Sequence, residues 1–494
     1  MSATRPGSGI RRTLREVRIA GGADEPMDVV LEDGVVAEIR PTGTRPADGE
    51  TVPADGRWLL PGLWDSHVHF TQWAQTARRF DLTRSTTASD VLAIVEASTP
   101  PGGEDPAVGF GFRDALWPDI ADLAAFDRVS HGRAVILIAA DLHCVWLNSA
   151  ALALYGHTGH PTGLLREEDA FAVHRSIDTV ADAVVDRWVD EAARAAAARG
   201  VVGVVDFEMA WNVESWTRRI AAGTTALRVR FGTYRANLER AIADGLRTGQ
   251  ILPHTHGLLE VGSFKVITDG SLNTRTAYCV DPYPGSTSHG LLNVPPDELG
   301  PLMARAHAAG LESAVHAIGD RANSLALDAF EATGSRGSIE HAQLLSPQDV
   351  GRFAALGVTA SVQPEHAMDD RDVAEHHWAG RTDRAFTLRS LLDAGGRLTL
   401  GSDAPVAPLD PWLAIASAVG RSRDGREPWH PEQAITVREA IAASTGSGRV
   451  MVAAGQVADL ALVDRDPYAS TPDELRRMPV AATILNGRDT FSTL

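Results

Sequence analysis

What most narrows the folds open to this chain is a set of eight short apolar segments separated by amphipathic helical stretches. They are WLLPGLWDSHVHF (58–70), VVGVVDFEM (201–209), ALRVRFGTY (226–234), VGSFKVITDG (261–270), LESAVHAIGD (311–320), GSIEHAQ (337–343), GVTASVQPEHA (357–367) and RLTLGSDAPV (397–406). Strands that alternate with helices build a parallel sheet, because each return to the same edge needs a long crossover. Helices are legible at DTVADAVVDRWVDEAARAAAARG (178–200) and DELGPLMARAHAAG (297–310), closed by Gly200 and Gly310 as C-terminal caps, and SLLDAGG (390–396) ends the same way. Eight strand-and-helix units are what a closed (β/α)8 barrel requires. The expected fold class is α/β, with a TIM barrel at its centre.

Both ends of the chain differ from this pattern. Residues 13–60 read as short strands with a hairpin turn at Glu32-Asp33-Gly34, and the C-terminal segment repeats the style in DLALVDRDP and AATILNGRDTF, with a turn at Asn486-Gly487. The two ends are expected to pair into one small β-sandwich domain. This divides the chain into 1–60 and 446–494 for that domain and 61–445 for the barrel. The stretch between the first and second strands is too long for one crossover. An insertion is expected at about 71–177, and in barrel enzymes such insertions usually cover the substrate end.

Composition excludes several classes of function. The 494 residues carry 46 basic and 64 acidic side chains, a net charge of −18, which repels nucleic-acid phosphates and anionic lipid headgroups. Two cysteines, Cys144 and Cys279, offer neither a disulfide framework nor a four-cysteine zinc site. The first residues have no apolar stretch of the secretory kind, and no run reaches the ~18 apolar residues that span a bilayer. The expectation is a cytoplasmic protein that acts on a small molecule, with no nucleic-acid or membrane partner.

One residue count stands out. Lys265 is the single lysine; every other basic residue is arginine. Arginine-biased codons explain the missing lysines but not the one that stayed. Arginine replaces lysine in most ion pairs, but not where an amine must lose its proton and react. The first strand ends in Asp65-Ser66-His67-Val68-His69, and alternation puts His67 and His69 on one face, about 7 Å apart, within reach of one metal ion. Four further strands carry a candidate ligand at or near their C-terminal ends: Lys265, His316, His341 and Asp403. In a barrel those ends share one mouth, and imidazole and carboxylate groups suit zinc and similar divalent ions.

These segments resemble the amidohydrolase superfamily, and its YtcJ-like branch in particular. PGLWDSHVHF (61–70) is similar to the family's opening metal motif and FKVITDGSLNTRTA (264–277) to its lysine strand. AVHAIGDRAN (314–323), IEHAQ (339–343) and GSDAPV (401–406) resemble its two later histidine strands and its aspartate strand. DLHCVWLNSAAL, GHPTGLLRE, SVQPEHA and AGQVADLALVDRDP extend the likeness over nearly the whole chain. The resemblance implies that His67, His69 and Asp403 bind one ion and His316 and His341 a second. Lys265, carboxylated by CO₂, would bridge them. It implies a metal-dependent hydrolase of non-peptide C–N bonds (amide, N-formyl or cyclic amide) with two divalent ions, zinc first and manganese, iron or nickel also compatible. A metal-bridging hydroxide would attack, and Asp403 would be both ligand and general base. Barrels of this family commonly dimerise, so a homodimer is the corresponding expectation.

Further residues have two uses each. His143 could touch substrate or stabilise its own loop; Gln363 and His366, at the end of the seventh strand, share that ambiguity. Arg275 could hold a substrate carboxylate or brace its loop, and Glu208 could support the ligands from behind. Trp64, Trp73, Trp117 and Trp146 could line an apolar pocket or fill a core. Asn273 stands where the family often has glycine, and Cys144 where serine is more usual. Other reactions would also suit two metals: ester hydrolysis, deamination or isomerisation. A catalytically silent binding protein is a further alternative, but its mark would be lost ligands, and all six are present.

Overall fold

A computed structural model describes residues 11–46, 49–100, 106–112, 114, 117–139, 144–166, 168–177, 181–272 and 275–494. The eight expected segments form the eight strands of one parallel sheet. They are β1 (Leu63–Val68), β2 (Val201–Asp206), β3 (Arg228–Tyr234), β4 (Leu259–Ile267), β5 (Ser313–Ala317), β6 (Gly337–His341), β7 (Thr359–Val362) and β8 (Arg397–Leu400). Each pairs in parallel with the next, in chain order. The strands are short and apolar because both faces are covered, the outer by helices and the inner by the barrel interior.

The sheet meets itself just beyond β1 and β8. Val68 and Ala404 form a parallel bridge. The Asp403 N–H donates to the His67 carbonyl at 2.7 Å, and the His69 N–H to that of Ala404 at 2.8 Å. Helices follow the strands as the sequence pattern implies, among them Asp182–Ala197 before β2, Pro296–Ala308 before β5 and Asp320–Thr333 before β6. Gly200 and Gly310 take φ of 83° and 86° after their helices, a left-handed conformation that favours glycine.

One expected strand is really two. Within 58–70, Trp58–Pro61 belongs to the terminal sheet and only Leu63–Val68 to the barrel. The break falls at Pro61-Gly62. A Cβ on Gly62 would lie 2.4 Å from the Val202 side chain, so only glycine lets the chain pass this close to β2 while it changes sheets.

The two ends of the chain interleave in that terminal sheet, whose order is Arg488–Ser492, Val480–Leu485, Leu460–Val463, Trp58–Pro61, Arg11–Ile19, Met27–Glu32 and Val35–Pro41. Glu50–Pro53 pairs separately with the Arg11–Ile19 strand. Its core joins Leu14, Val17 and Val29 from the N-terminal side to Leu460, Leu462 and Ile484 from the C-terminal side. Both expected turns form, with positive φ at Asp33 and Gly34 (50° and 79°) and at Asn486 and Gly487 (51° and 76°).

The chain packs as two compact units, Met1–Gln72 with Asp190–Leu494, and Trp73–Val189. The second unit holds a five-stranded sheet ordered Leu164–Arg166, Cys144–Leu147, Val135–Ala139, Ala107–Phe112 and Arg79–Asp81. It has cores of its own, one around Phe112, Phe126 and Trp146 and another around Ile136, Ile138 and Leu152. Among the described residues, no helix is long and apolar enough to cross a membrane.

Close packing on β2 yields a test of the barrel wall. A Cβ on Gly203 would lie 2.4 Å from the Trp64 indole of β1. Gly203→Ala is expected to destabilise the protein by about 1–3 kcal/mol, the usual cost of overpacking, read as a lower denaturation midpoint. An unchanged midpoint would show that this wall is looser than described.

Candidate metal centre

The seam that closes the barrel also builds the site. His67, near the end of β1, is buried, and His69 follows just beyond the strand. Asp403 lies three residues past β8 with φ of 57°, and its backbone bond to His67 holds it beside that histidine. The Nε2 atoms of His67 and His69 each lie 3.4 Å from Asp403 Oδ1. Ligand atoms about 2.1 Å from a tetrahedral ion stand about 3.4 Å apart, so the spacing fits a divalent metal of the zinc kind. Asp65 braces the seam from inside: its Oδ1 accepts from the Ser402 N–H at 2.9 Å and the His67 N–H at 3.2 Å. Burial pushes the Asp65 carboxyl up to about 7. At Gly401 a Cβ would lie 2.7 Å from the His67 nitrogen, so no side chain fits there.

Each neighbouring histidine is held from behind. His67 Nδ1 lies 2.6 Å from Glu340 Oε2 and His341 Nδ1 lies 2.8 Å from Gln363 Oε1. His316 Nε2 lies 3.3 Å from the Gly270 carbonyl oxygen. All three partners are acceptors, so the proton sits at the back of each ring and the lone pair on the opposite nitrogen. Burial lowers the basicity of all three, with His316 pushed down to about 3, helped by the Lys265 charge. They are therefore neutral at pH 7, the form that binds metal. Glu340 also accepts from the Ser338 hydroxyl; despite burial, its hydrogen bond to His67 and the Lys265 charge hold its carboxyl down at about 2. Asp403 is likewise held ionised against its burial by His67, His69 and His341.

Lys265 lies on β4, 2% exposed, with Nζ 4.5 Å from the centre of the Phe207 ring. The amine has no hydrogen-bond partner among the described residues. Burial pushes it down to about 8, against the carboxylates of Glu340 and Asp403. A buried amine that is easily deprotonated and unpartnered is ready for a ligand or for covalent modification.

Two convergent groups emerge among the described residues, and they share Asp403. One is His67, His69 and Asp403; the other is His341, His366 and Asp403. The His316 ring lies edge-on to that of His341, 4.5 Å between centres, but His316 belongs to neither group. Its Nε2 is 3.4 Å from Asp269, which accepts from the Tyr278, Ile318 and Gly319 N–H groups.

The other candidates scatter. Gln363 lies behind His341, and His366 is buried beside it with ring centres 6.2 Å apart. Glu208 accepts from the backbone and side-chain amides of Gln72 at 2.9 and 3.1 Å. Arg275 is exposed, with φ of 57°, and its charge adds to burial and to His376 in lowering the basicity of His377. Trp64 packs on Gly203 beneath the Arg230 guanidinium. Trp117 and Trp146 meet at 5.7 Å inside the second unit, which also contains Trp73 and the buried Cys144. His143 and Asn273 lie outside the described residues.

Sequence reasoning overlooked Glu340, Asp65 and Asp269, all buried carboxylates that hold site residues in place. The hint was a charged residue inside an apolar strand, for Asp65 and Glu340, or two residues past one, for Asp269, which needs a partner in the barrel interior.

Strand-end imidazoles and a carboxylate at the mouth of a (β/α)8 barrel define a class of barrel proteins equipped to hold divalent metal. This chain belongs to the amidohydrolase family, whose model matches residues 50–491, and that membership makes it a hydrolase and implies a divalent metal. YtcJ of Bacillus subtilis (strain 168) is 27% identical over 93% of this chain and 95% of its own length. An N-substituted formamide deformylase of Arthrobacter pascens is 28% identical over 92% of each chain. In fold, the chain is similar to an uncharacterized metal-dependent hydrolase from Pyrococcus horikoshii OT3, with a TM-score of 0.78, 22% identity and coverage of 94% of this chain and 99% of that one.

The carboxylate behind His67 can be tested. Glu340→Gln is expected to weaken metal binding about 10- to 100-fold, measured by competition with a chelator. Wild-type affinity in that variant would remove Glu340 from the support of the site.

Proposed function

We propose that this chain hydrolyses a C–N bond other than a peptide bond in a small molecule, at a centre of two divalent ions. One observation carries this reading: His67 Nε2 and His69 Nε2 converge on Asp403 Oδ1 at tetrahedral ligand spacing, in the same barrel as an unpartnered lysine amine. His67, His69 and Asp403 would hold one ion, and His316 and His341 the other. Zinc suits the donor set. Lys265 would bridge the two as a carbamate, its amine nitrogen bonding to the carbon of CO₂ and releasing a proton. The two oxygens and the negative charge gained are what two neighbouring cations need, and arginine cannot supply them. Bound divalent ions would acidify water towards a pKa of ~7 and polarise the substrate carbonyl.

The protein's own groups complete the reaction. Asp403, held ionised beside His67 and His69, takes a proton from the attacking water and passes it to the leaving nitrogen. The acyl carbon gains hydroxyl, the nitrogen gains hydrogen, and the C–N bond breaks. Glu340 and Gln363 keep His67 and His341 in the tautomers this site requires. The deformylase from Arthrobacter makes N-substituted formamides the first substrates to test, followed by N-acetyl amines and lactams.

With the best of these amides, Asp403→Asn at full metal loading is expected to lower kcat by about 10²–10⁴-fold. Wild-type turnover in that variant would remove Asp403 as the base. If esters were turned over and none of the amides, the C–N assignment would be wrong.

The Lys265 amine, depressed to about 8, becomes neutral as pH rises through that value. Metal-free protein in ¹³C-bicarbonate should therefore show a carbamate ¹³C resonance that strengthens between about pH 7 and 9. Lys265→Arg should show none. An equal resonance in that variant would place the modification elsewhere.

A further inference from the structure

Four imidazoles in this barrel are distinguished by what lies behind them. His67, His341 and His316 each have an acceptor at the back: the Glu340 carboxylate, the Gln363 amide oxygen and the Gly270 carbonyl. His366 has the opposite arrangement. Its Nδ1 lies 3.4 Å from Gln343 Nε2, an amide nitrogen that only donates, so Nδ1 keeps the lone pair and Nε2 carries the proton. That Nε2 is buried and has no hydrogen-bond partner among the described residues. His366 is 6% exposed and belongs to the convergent group with His341 and Asp403, whose ligand atoms lie within 4.8 Å of one another.

A metal ligand must present a lone pair, and His366 presents an N–H. A buried donor in a residue grouped with His341 and Asp403, and left without an acceptor, is stabilised only when a ligand brings one. The amide nitrogen of a substrate accepts poorly, because its lone pair is delocalised into the carbonyl. The carbonyl oxygen accepts well, and it gains negative charge as water adds to the carbon.

We propose that His366 is a catalytic residue whose Nε2–H donates to the carbonyl oxygen of the substrate and to the oxyanion formed from it. The proposal rests on the C–N hydrolysis reading above and adds an electrophilic group to the cluster that holds the base Asp403. The donor is held in advance of reaction. His366 lies in the first turn of the helix Pro364–His377, directly after β7 and Gln363. Its neighbour Glu365 is buried and bound to Arg423 at 2.9 Å, to Arg476 at 2.7 Å and to the Ser417 hydroxyl. A donor fixed in this way needs no reorganisation when charge develops, the condition under which such groups contribute most.

The test compares wild type, His366→Ala and His366→Gln for metal per chain and for kcat and KM with N-phenethylformamide. Metal content should be unchanged. In the alanine variant kcat should fall about 10²–10³-fold with KM within about threefold, because the bond strengthens as the oxyanion forms. Glutamine keeps an N–H donor and should recover about tenfold of that loss. Loss of one metal equivalent in the alanine variant would make His366 a ligand and overturn the proposal. So would an alanine-variant kcat within about threefold of wild type, or a glutamine variant no more active than alanine. Wild-type turnover by itself tests the hydrolysis reading, whereas metal content tests His366 whether or not the formamide is consumed.

Discussion

The barrel closes where the main chain after β8 meets the end of β1, and the candidate site depends on that pairing. The Asp403 N–H donates to the His67 carbonyl, and the His69 N–H to that of Ala404. An open sheet would leave β1 and β8 at opposite edges, with two histidines on one and the aspartate on the other. Closure instead places both Nε2 atoms 3.4 Å from Asp403 Oδ1. Asp65 and Gly401 serve the same seam, one by accepting N–H groups from both sides, the other by having no side chain to hold them apart. Backbone geometry and ligand geometry therefore have a common origin here.

Burial then sets the electrostatics. Inside the barrel, water no longer stabilises charge, so His67, His316 and His341 stay neutral and the Lys265 amine gives up its proton easily. Glu340 and Asp403 remain ionised because hydrogen bonds from His67 and His69 and the charge of Lys265 offset their desolvation. Near the candidate site, the buried nitrogens Lys265 Nζ, His69 Nδ1 and His366 Nε2 have no hydrogen-bond partner among the described residues. Unmet polar atoms in a core are costly to stability. At the candidate site, on a scaffold closed by backbone hydrogen bonds, such atoms are what a ligand can satisfy.

Most of the fold is legible in the sequence because strand alternation, helix caps and hairpin turns are local properties. Seven of the barrel strands lie within segments defined by apolar runs, β4 begins two residues ahead of its segment at Leu259, and Asp33-Gly34 and Asn486-Gly487 turn where their residue types allow positive φ. The exception is instructive. The segment 58–70 is continuous in hydrophobicity but divided between two sheets, because the contact of Gly62 with Val202 joins residues far apart in the chain. Of the site, the strand-end histidines, Lys265 and Asp403 could be named from residue type and position. Glu340 could not, because a glutamate beside His341 gives no indication that it faces His67 on another strand.

The lone lysine and the eight-fold alternation of strand and helix were determined by the sequence alone: they define a barrel, the strand ends that carry the candidate metal ligands, and the one position that kept an amine. Tertiary structure decided which of those groups meet. It joined His67 and His69 to Asp403 through the closing hydrogen bonds and placed Glu340 and Gln363 behind two of the rings. It also grouped His366 with His341 and Asp403 and set His316 beside Asp269. The physical reason is that strand identity depends on neighbours along the chain. Tautomer, charge state and ligand spacing depend instead on neighbours across the barrel, and those exist only once it has closed.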